Sequence, residues 1–317
     1  MIMPWIIIGA SLAGILLLTF FAAYICFRIV FYSKPRTEEQ LMKIHLPKGE
    51  EYAPFREEMR VWIEDARKLP YESMTIRSHD GLTLRGRYYE NIPGAPIEIQ
   101  FHGYRGDSDR DLGGAILRAF AVGRNALIVD QRACGRSDGS VITFGILERR
   151  DCLLWVERAV KRFGKDVALH LTGISMGAAT VLMASGEPLP PQVKGVLADC
   201  PYSSPRAIIR KVMRDRGYPV PLLYPFVRLG ARVFGHFDLE EASPVAAVKR
   251  ASIPIILYHG EGDTFVPCEM SREIYAACRS EKKKLITVPK APHGMAYSQD
   301  KEYYLRTLRA FIEETQN

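Results

Sequence analysis

The sequence predicts an α/β fold in which a mostly parallel, twisted β-sheet carries helices on both faces. Short apolar and β-branched runs alternate with stretches of helical periodicity, a pattern typical of parallel sheets. In one such stretch Cys152, Trp155 and Ala159 share one side, as expected of a helix packed on a sheet. An Asp-Gly pair at 80–81 lies between two β-rich runs and indicates a hairpin at the start of the domain. The predicted core strands are residues 97–101, 126–130, 168–172, 193–198, 254–258 and 284–288.

The composition is that of a folded globular chain. Hydrophobic residues make up 47% and charged residues 25% of the 317 residues, which excludes an intrinsically disordered or collagen-like protein. The six cysteines form no CxxC pair and lack metal-ligand spacing, so we expect neither a disulfide framework nor a metal site. The net charge of +7 is not gathered into a stripe, which argues against nucleic acid and favours anionic lipid as a partner.

The N-terminus carries a candidate membrane anchor. Residues 5–27 contain no charge, and a helix of that length spans a hydrocarbon core of roughly 30 Å. A cleaved signal peptide is the alternative, but the basic n-region is missing and the apolar run is too long. Arg28, Lys34 and Arg36 follow the run, so the positive-inside rule places the remainder on the cytoplasmic side of a single-pass protein.

Three segments follow from these patterns. Residues 1–33 are predicted to be the transmembrane anchor, and residues 34–71 a helical linker between the anchor and the domain. The catalytic domain is expected over residues 72–317. Residues 203–243 are inserted between two core strands and are rich in apolar residues, so we expect a small helical lid there, with an ordinary packed helical excursion as the equal alternative.

Two serines compete for the role of nucleophile because the pattern Gly-x-Ser-x-Gly occurs twice, around Ser137 and around Ser175. The motif requires a strand that runs directly into a tight turn and then a helix, since this turn lifts the hydroxyl above the sheet. Ser175 follows the predicted strand at 168–172 and precedes a helical stretch. Ser137 is followed by a β-branched run instead, so we interpret it as a loop residue.

A base and an acid complete the predicted catalytic group. A serine hydroxyl needs an imidazole within hydrogen-bond reach, itself oriented by a carboxylate. His293 lies in a Pro/Gly-rich loop after the last strand, and Asp263 follows the strand at 254–258, which gives the chain order Ser, Asp, His. Asp199, at the end of the preceding strand, is the rival acid, and Glu261 is a weaker alternative.

Two backbone amides are predicted to stabilise an oxyanion. One belongs to Met176, the residue after the nucleophile. The other belongs to Tyr104, because Gly103 lets the chain bend sharply after the strand at 97–101. Such donors act on charge that develops in the transition state.

Taken together, these segments resemble the α/β-hydrolase superfamily over roughly residues 72–315, and the anchor makes the chain similar to its membrane-associated members. The resemblance implies Ser175, Asp263 and His293 as nucleophile, acid and base, and an oxyanion loop at 102–104. Relatives that open epoxides or remove halides use an aspartate nucleophile, so a serine implies cleavage of esters, thioesters or amides. The segments that carry the resemblance are FHGY at 101–104, VDQRACGRSDG at 129–139, GISMG at 173–177, ADCPYSS at 198–204, SPVAAVKRASIPIILYHGEGDTFVP at 243–267 and APHG at 291–294.

The sequence therefore predicts a membrane-tethered serine hydrolase, similar to carboxylesterases and lipases, that acts on acyl or lipid-like esters or thioesters without a cofactor or metal. A small peptidase or amidase with the same triad remains open, because the triad alone does not separate these reactions. A noncatalytic scaffold that keeps the fold is the third possibility.

Overall fold

An eight-stranded β-sheet forms the centre of the structure, a computed structural model that describes residues 3–316. Its strands are β1 (Glu72–Arg77), β2 (Thr83–Tyr89), β3 (Ile97–Phe101), β4 (Asn125–Val129), β5 (Leu169–Ile174), β6 (Val193–Asp199), β7 (Ile255–Gly260) and β8 (Lys283–Val288). They lie in the order β1-β2-β4-β3-β5-β6-β7-β8. The first two form the expected hairpin, and β2 pairs antiparallel with β4, whereas all further neighbours are parallel. The predicted α/β architecture is confirmed.

Helices cover both faces of this sheet. On one face Ile99 of β3 packs in the same core cluster as Trp155, and on the other Ile128 of β4 packs with Ile116. Buried side chains thus point alternately to the two faces, as a sheet covered on both sides requires. The helices are α1 (Met3–Val30), α2 (Glu38–Met42), α3 (Arg56–Lys68), α4 (Ser108–Ala121), α5 (Glu148–Phe163), α6 (Met176–Ala184), α7 (Pro205–Asp215), α8 (Val220–Val233), α9 (Pro244–Val248), α10 (Glu269–Ala277), α11 (Ala296–Gln299) and α12 (Lys301–Gln316), with a 3₁₀ helix at Glu50–Phe55.

The N-terminal helix α1 is both a candidate membrane span and part of the folded domain. Its segment Trp5–Val30 is long and apolar enough to cross a membrane. The first part of this segment is exposed, whereas Ala23 and Phe27 are buried against α8. Gly230 of α8 permits this packing, because a Cβ there would collide with the carbonyl oxygen of Ala23. The apolar helix therefore continues from its exposed part directly into the domain core.

The linker and the insertion pack on different parts of the domain. Helix α3 of the linker lies on α4, where the Trp62 ring packs against Gly114. The same ring contacts Tyr297, with ring centroids 5.7 Å apart. The 203–243 insertion forms α7 and α8, and α8 packs along α1. The linker therefore packs on the α4 side of the domain, and α8 of the insertion packs beside the N-terminal helix.

Candidate active site

Ser175 occupies the turn between β5 and α6. Its φ of 55° is unusual for a residue other than glycine, and its backbone N–H donates to the carbonyl of Asp199 at 2.8 Å. Gly177 lets the following helix approach β3, because a Cβ there would collide with the carbonyl oxygen of Phe101. The sequence around Ser175 thus folds into the strand, tight turn and helix that the motif requires.

His293 and Asp263 lie next to this hydroxyl. The Nε2 atom of His293 is 2.9 Å from Ser175 Oγ, and its Nδ1 atom is 2.6 Å from Asp263 Oδ2. Asp263 is fully ionised near neutral pH, because burial would raise its pKa but hydrogen bonds from two histidines lower it to about 2. A carboxylate only accepts hydrogen bonds, so His293 Nδ1 carries the proton and Nε2 offers its lone pair to the serine.

A second histidine, which the sequence did not single out, orients the same carboxylate. His259 is fully buried, and its Nε2 atom lies 2.8 Å from the carbonyl of Val266 and 3.3 Å from Asp263 Oδ2. Because a carbonyl only accepts, this nitrogen carries a proton and also faces the carboxylate. The other oxygen of Asp263 accepts from the backbone N–H groups of Phe265 and Val266 at 2.9 and 2.8 Å. The signal available in the sequence was the spacing of four residues between His259 and Asp263.

The rival residues lie in other environments. Asp199 accepts a hydrogen bond from the Tyr304 hydroxyl at 3.2 Å, and burial raises the pKa of its carboxyl group. Glu261 is exposed to solvent. The Ser137 hydroxyl donates to the carbonyl of Asp130 at 2.5 Å and accepts from the backbone N–H of Arg85 at 2.8 Å. It therefore connects the loop after β4 to β2. The side chains of Ser175, His293 and Asp263 form one hydrogen-bonded chain, and the side chains of Asp199, Glu261 and Ser137 are not part of it.

Of the two predicted oxyanion donors, Met176 directly follows the serine in the chain, and Tyr104 belongs to the loop after β3. Met176 is the first residue of α6, and amides in the first turn of a helix have no partner within it. Tyr104 lines the cavity beside Ser175. The N–H of the preceding Gly103 is already taken, since it donates to Asp111 Oδ2 at 2.9 Å. His102 steadies the same loop, with Nδ1 2.8 Å from the carbonyl of Gly103 and Nε2 accepting from the Gln131 N–H at 3.0 Å.

Cys200 is a further nucleophilic group near the serine. Its Sγ lies 4.0 Å from His293 Nε2. This sulfur, a carboxylate oxygen of Asp263 and a ring nitrogen of His293 lie within 4.8 Å of one another, close enough to hold a metal ion. Burial raises the pKa of the Cys200 thiol well above its ordinary value. Because metal ligation and nucleophilic attack both need the thiolate, this environment favours a neutral, inert thiol.

A cavity of about 460 Å³ opens beside Ser175, within the range expected for a small-molecule site. The linker supplies much of its wall, and α4 and the His293 loop supply most of the rest. Among residues 3–316, the lining of this cavity contains no residue of the 203–243 insertion. The linker residues in the wall are His45, Leu46, Pro47, Tyr52, Met59, Trp62 and Ile63.

Comparison with known proteins identifies the family of this fold. The chain is 24% identical over 193 residues to the uncharacterised protein YqkD of Bacillus subtilis, covering 61% of this chain and 63% of that one, which is under two thirds of its length. It is 27% identical over 237 residues to the uncharacterised protein YfhR of Escherichia coli K12, covering 72% and 75%. The structure of the Pyrococcus furiosus esterase Pf2001 superposes with a TM-score of 0.67 at 20% identity, covering 90% and 99%. The model of the alpha/beta hydrolase family matches residues 92–306, more than half of the chain, so this protein belongs to the alpha/beta hydrolase family.

Proposed function

We propose that this protein is a membrane-tethered serine esterase that cleaves acyl esters or thioesters through an acyl-enzyme on Ser175. The observation that carries the proposal is the unbroken hydrogen-bond chain from Ser175 Oγ to His293 Nε2 at 2.9 Å and from His293 Nδ1 to Asp263 Oδ2 at 2.6 Å. Membership in a hydrolase family and the similarity to a structure described as an esterase support the same reaction class.

In the proposed mechanism His293 acts first as a base and then as an acid. Nε2 takes the proton from Ser175 as the hydroxyl oxygen attacks the substrate carbonyl carbon, and Asp263 stabilises the resulting imidazolium. The N–H groups of Tyr104 and Met176 donate to the oxyanion of the tetrahedral intermediate. As this intermediate collapses, Nε2 returns the proton to the departing alcohol or thiol. A water molecule then attacks the acyl-enzyme by the same two steps and releases the acid.

The walls of the cavity favour an apolar acyl group. Leu46, Met59, Trp62 and Ile63 present hydrocarbon surface to it, and each buried methylene of a substrate contributes about 0.8 kcal/mol. Tyr104, which also lines the cavity, donates to the carbonyl of Val30 at the end of α1 at 2.6 Å. The proposed anchor therefore holds the cavity close to the bilayer surface, where amphiphilic esters are concentrated.

The proposed membrane placement rests on α1. The exposed apolar half of this helix needs a nonaqueous environment, because large exposed apolar surfaces are rare in soluble monomers. Arg28, Lys34 and Arg36 follow the span, which favours a cytoplasmic catalytic domain. Protease added to the outside of intact cells that make the full-length protein tests this orientation. Cleavage of the catalytic domain only after the membrane is permeabilised supports a cytoplasmic domain, and cleavage in intact cells contradicts it.

Hydrolysis of p-nitrophenyl esters from acetyl to palmitoyl, by the full-length protein in mixed micelles, tests the proposed function. We expect turnover that rises from acetyl towards medium-chain acyl groups and is lost in Ser175→Ala. The matched control is Ser137→Ala, which removes the hydroxyl of the second Gly-x-Ser-x-Gly motif. A sharp preference for acetyl contradicts the acyl pocket, whereas unchanged turnover in Ser175→Ala contradicts the esterase mechanism itself.

A further inference from the structure

The loop that carries Tyr104 is tied to the last turn of α1. The Tyr104 hydroxyl donates to the carbonyl of Val30 at 2.6 Å, and Arg105 Nη2 donates to the carbonyls of Ile29 and Tyr32, both at 2.9 Å. The last carbonyls of a helix have no partner within it. Two neighbouring side chains of the loop thus satisfy carbonyl groups at the end of the anchor helix.

The backbone of this loop needs such support. Arg105 has a φ of 53°, a left-handed conformation that is unfavourable for a residue with a side chain and persists only where its surroundings enforce it. A tight turn encloses it, since the Gly106 N–H donates to the carbonyl of Gly103 at 3.1 Å. The guanidinium of Arg105 fixes the centre of this turn against α1.

The chain that leaves α1 binds the far side of the same loop. Arg36 Nη2 donates to the carbonyl of Gly106 at 2.9 Å and lies 2.9 Å from a carboxylate oxygen of Asp107. The segment from Ile29 to Arg36 therefore contacts the loop at four successive residues, 104 to 107.

We propose that Arg105, by binding the C-terminal turn of α1, positions the Tyr104 N–H for the oxyanion, so that the anchor helix is a working part of the active site. The proposal rests on the proposed esterase mechanism and assigns Arg105 as a positioning residue. A shift of α1 relative to the domain is therefore expected to move the Tyr104 N–H through the side chain of Arg105.

The proposal predicts a particular kinetic effect. An oxyanion donor acts on the transition state more than on bound substrate, so a misplaced donor lowers kcat and leaves KM nearly unchanged. Displacing a catalytic group by about 1 Å costs up to about 100-fold in rate. A general loss of folded protein lowers the number of active sites instead, and burst titration with an activated ester measures that number separately.

The test compares full-length Arg105→Ala and Arg105→Lys with the matched control Arg309→Ala. Arg309 Nη2 donates to the carbonyl of Ala121 at the end of α4 at 2.8 Å, an exposed bond of the same kind outside the cavity. Per titrated site, we expect kcat to fall roughly 10- to 100-fold in Arg105→Ala with KM within about twofold, and to recover in part in Arg105→Lys, because the ammonium can still reach one carbonyl. Arg309→Ala keeps the wild-type kcat.

Tyr104→Phe serves as a second variant if Arg105→Ala yields no folded protein. It removes the bond to Val30 but keeps the backbone amide, and we expect a smaller fall in kcat at unchanged KM. Wild-type kcat in folded Arg105→Ala overturns the proposal, as does an equal loss in Arg309→Ala; if Arg105→Ala does not fold, wild-type kcat in Tyr104→Phe overturns it. Failure of the esterase mechanism is recognised separately, because wild-type turnover then survives in Ser175→Ala.

Discussion

Replacing Asp263 by asparagine removes one charge from the proposed triad with little change in shape. One oxygen of Asp263 accepts from the backbone N–H groups of Phe265 and Val266 at 2.9 and 2.8 Å. The asparagine oxygen is expected to take that place, because an NH₂ group there would face two donors. The NH₂ group then points to the position of Oδ2, towards His293 and His259.

The expected loss follows from this orientation. Opposite a donating NH₂ group, His293 Nδ1 has to accept, so the ring proton moves to Nε2 and faces the Ser175 hydroxyl. The imidazole then has no lone pair for the serine proton. A base held in the wrong tautomer lowers kcat by about 10⁴-fold, which corresponds to a loss of about 5 kcal/mol of transition-state stabilisation. The same NH₂ group meets the N–H of His259, which adds a loss of stability.

The assay is steady-state hydrolysis of a p-nitrophenyl ester by the full-length protein, normalised to folded protein by near-ultraviolet circular dichroism. Glu261→Gln is the matched control, since it removes an exposed carboxylate two residues away. We expect it to retain wild-type kcat. A role for the Asp263 charge in holding the His293 tautomer is contradicted if Asp263→Asn stays within about tenfold of wild type, or if Glu261→Gln loses as much activity as Asp263→Asn.

Three further substitutions probe other parts of the account. Ser137→Ala is expected to keep wild-type turnover and to lower the free energy of unfolding by about 1 kcal/mol in urea titration, and a large loss of kcat contradicts its structural role. Trp62→Ala is expected to raise kcat/KM for branched or longer acyl esters relative to butyrate, whereas an equal loss for all esters contradicts its place in the substrate wall. Glu98→Gln leaves the buried Arg118 and Arg124 without their carboxylate and is expected to cost about 3–5 kcal/mol in the same titration. Burial would raise the pKa of Glu98, but the two arginines lower it to about 2. The stabilisation of the fold by the Glu98 carboxylate is therefore complete above its ordinary pKa and is lost as the pH falls from about 4 to about 2. A difference in free energy of unfolding between wild type and Glu98→Gln that does not shrink over this range contradicts the pairing.

The strands and the residues of the proposed triad were accessible to sequence reasoning because their signals are local. Each core strand is a short apolar run, and Ser175 was separated from Ser137 by the strand before it and the helix after it. Asp263 and Asp199 both follow the carboxyl end of a strand, and the choice of Asp263 rested on the expectation that its strand end lies nearer the loop of His293. The structure brings Asp263 within 2.6 Å of His293.

The arrangement around the cavity was not accessible in the same way, because it depends on contacts between distant segments. Helices α3 and α8 are both amphipathic, and a sequence pattern does not tell which partner covers the apolar side of each. The fit of Trp62 over Gly114 decides the position of α3, and the fit of α1 over Gly230 decides that of α8. For the same reason the ties from Arg105 to α1 join residues more than 70 positions apart and leave no local signal.

The most direct test of the central claim is the site of covalent labelling. The full-length protein is treated with a fluorophosphonate, digested and analysed by tandem mass spectrometry, in parallel with Ser175→Ala. If Ser175 is the nucleophile, we expect a single phosphonylated peptide containing residues 173–177, modified at Ser175, and no labelling of the variant. An adduct on Ser137 or Cys200, or undiminished labelling of Ser175→Ala, contradicts it.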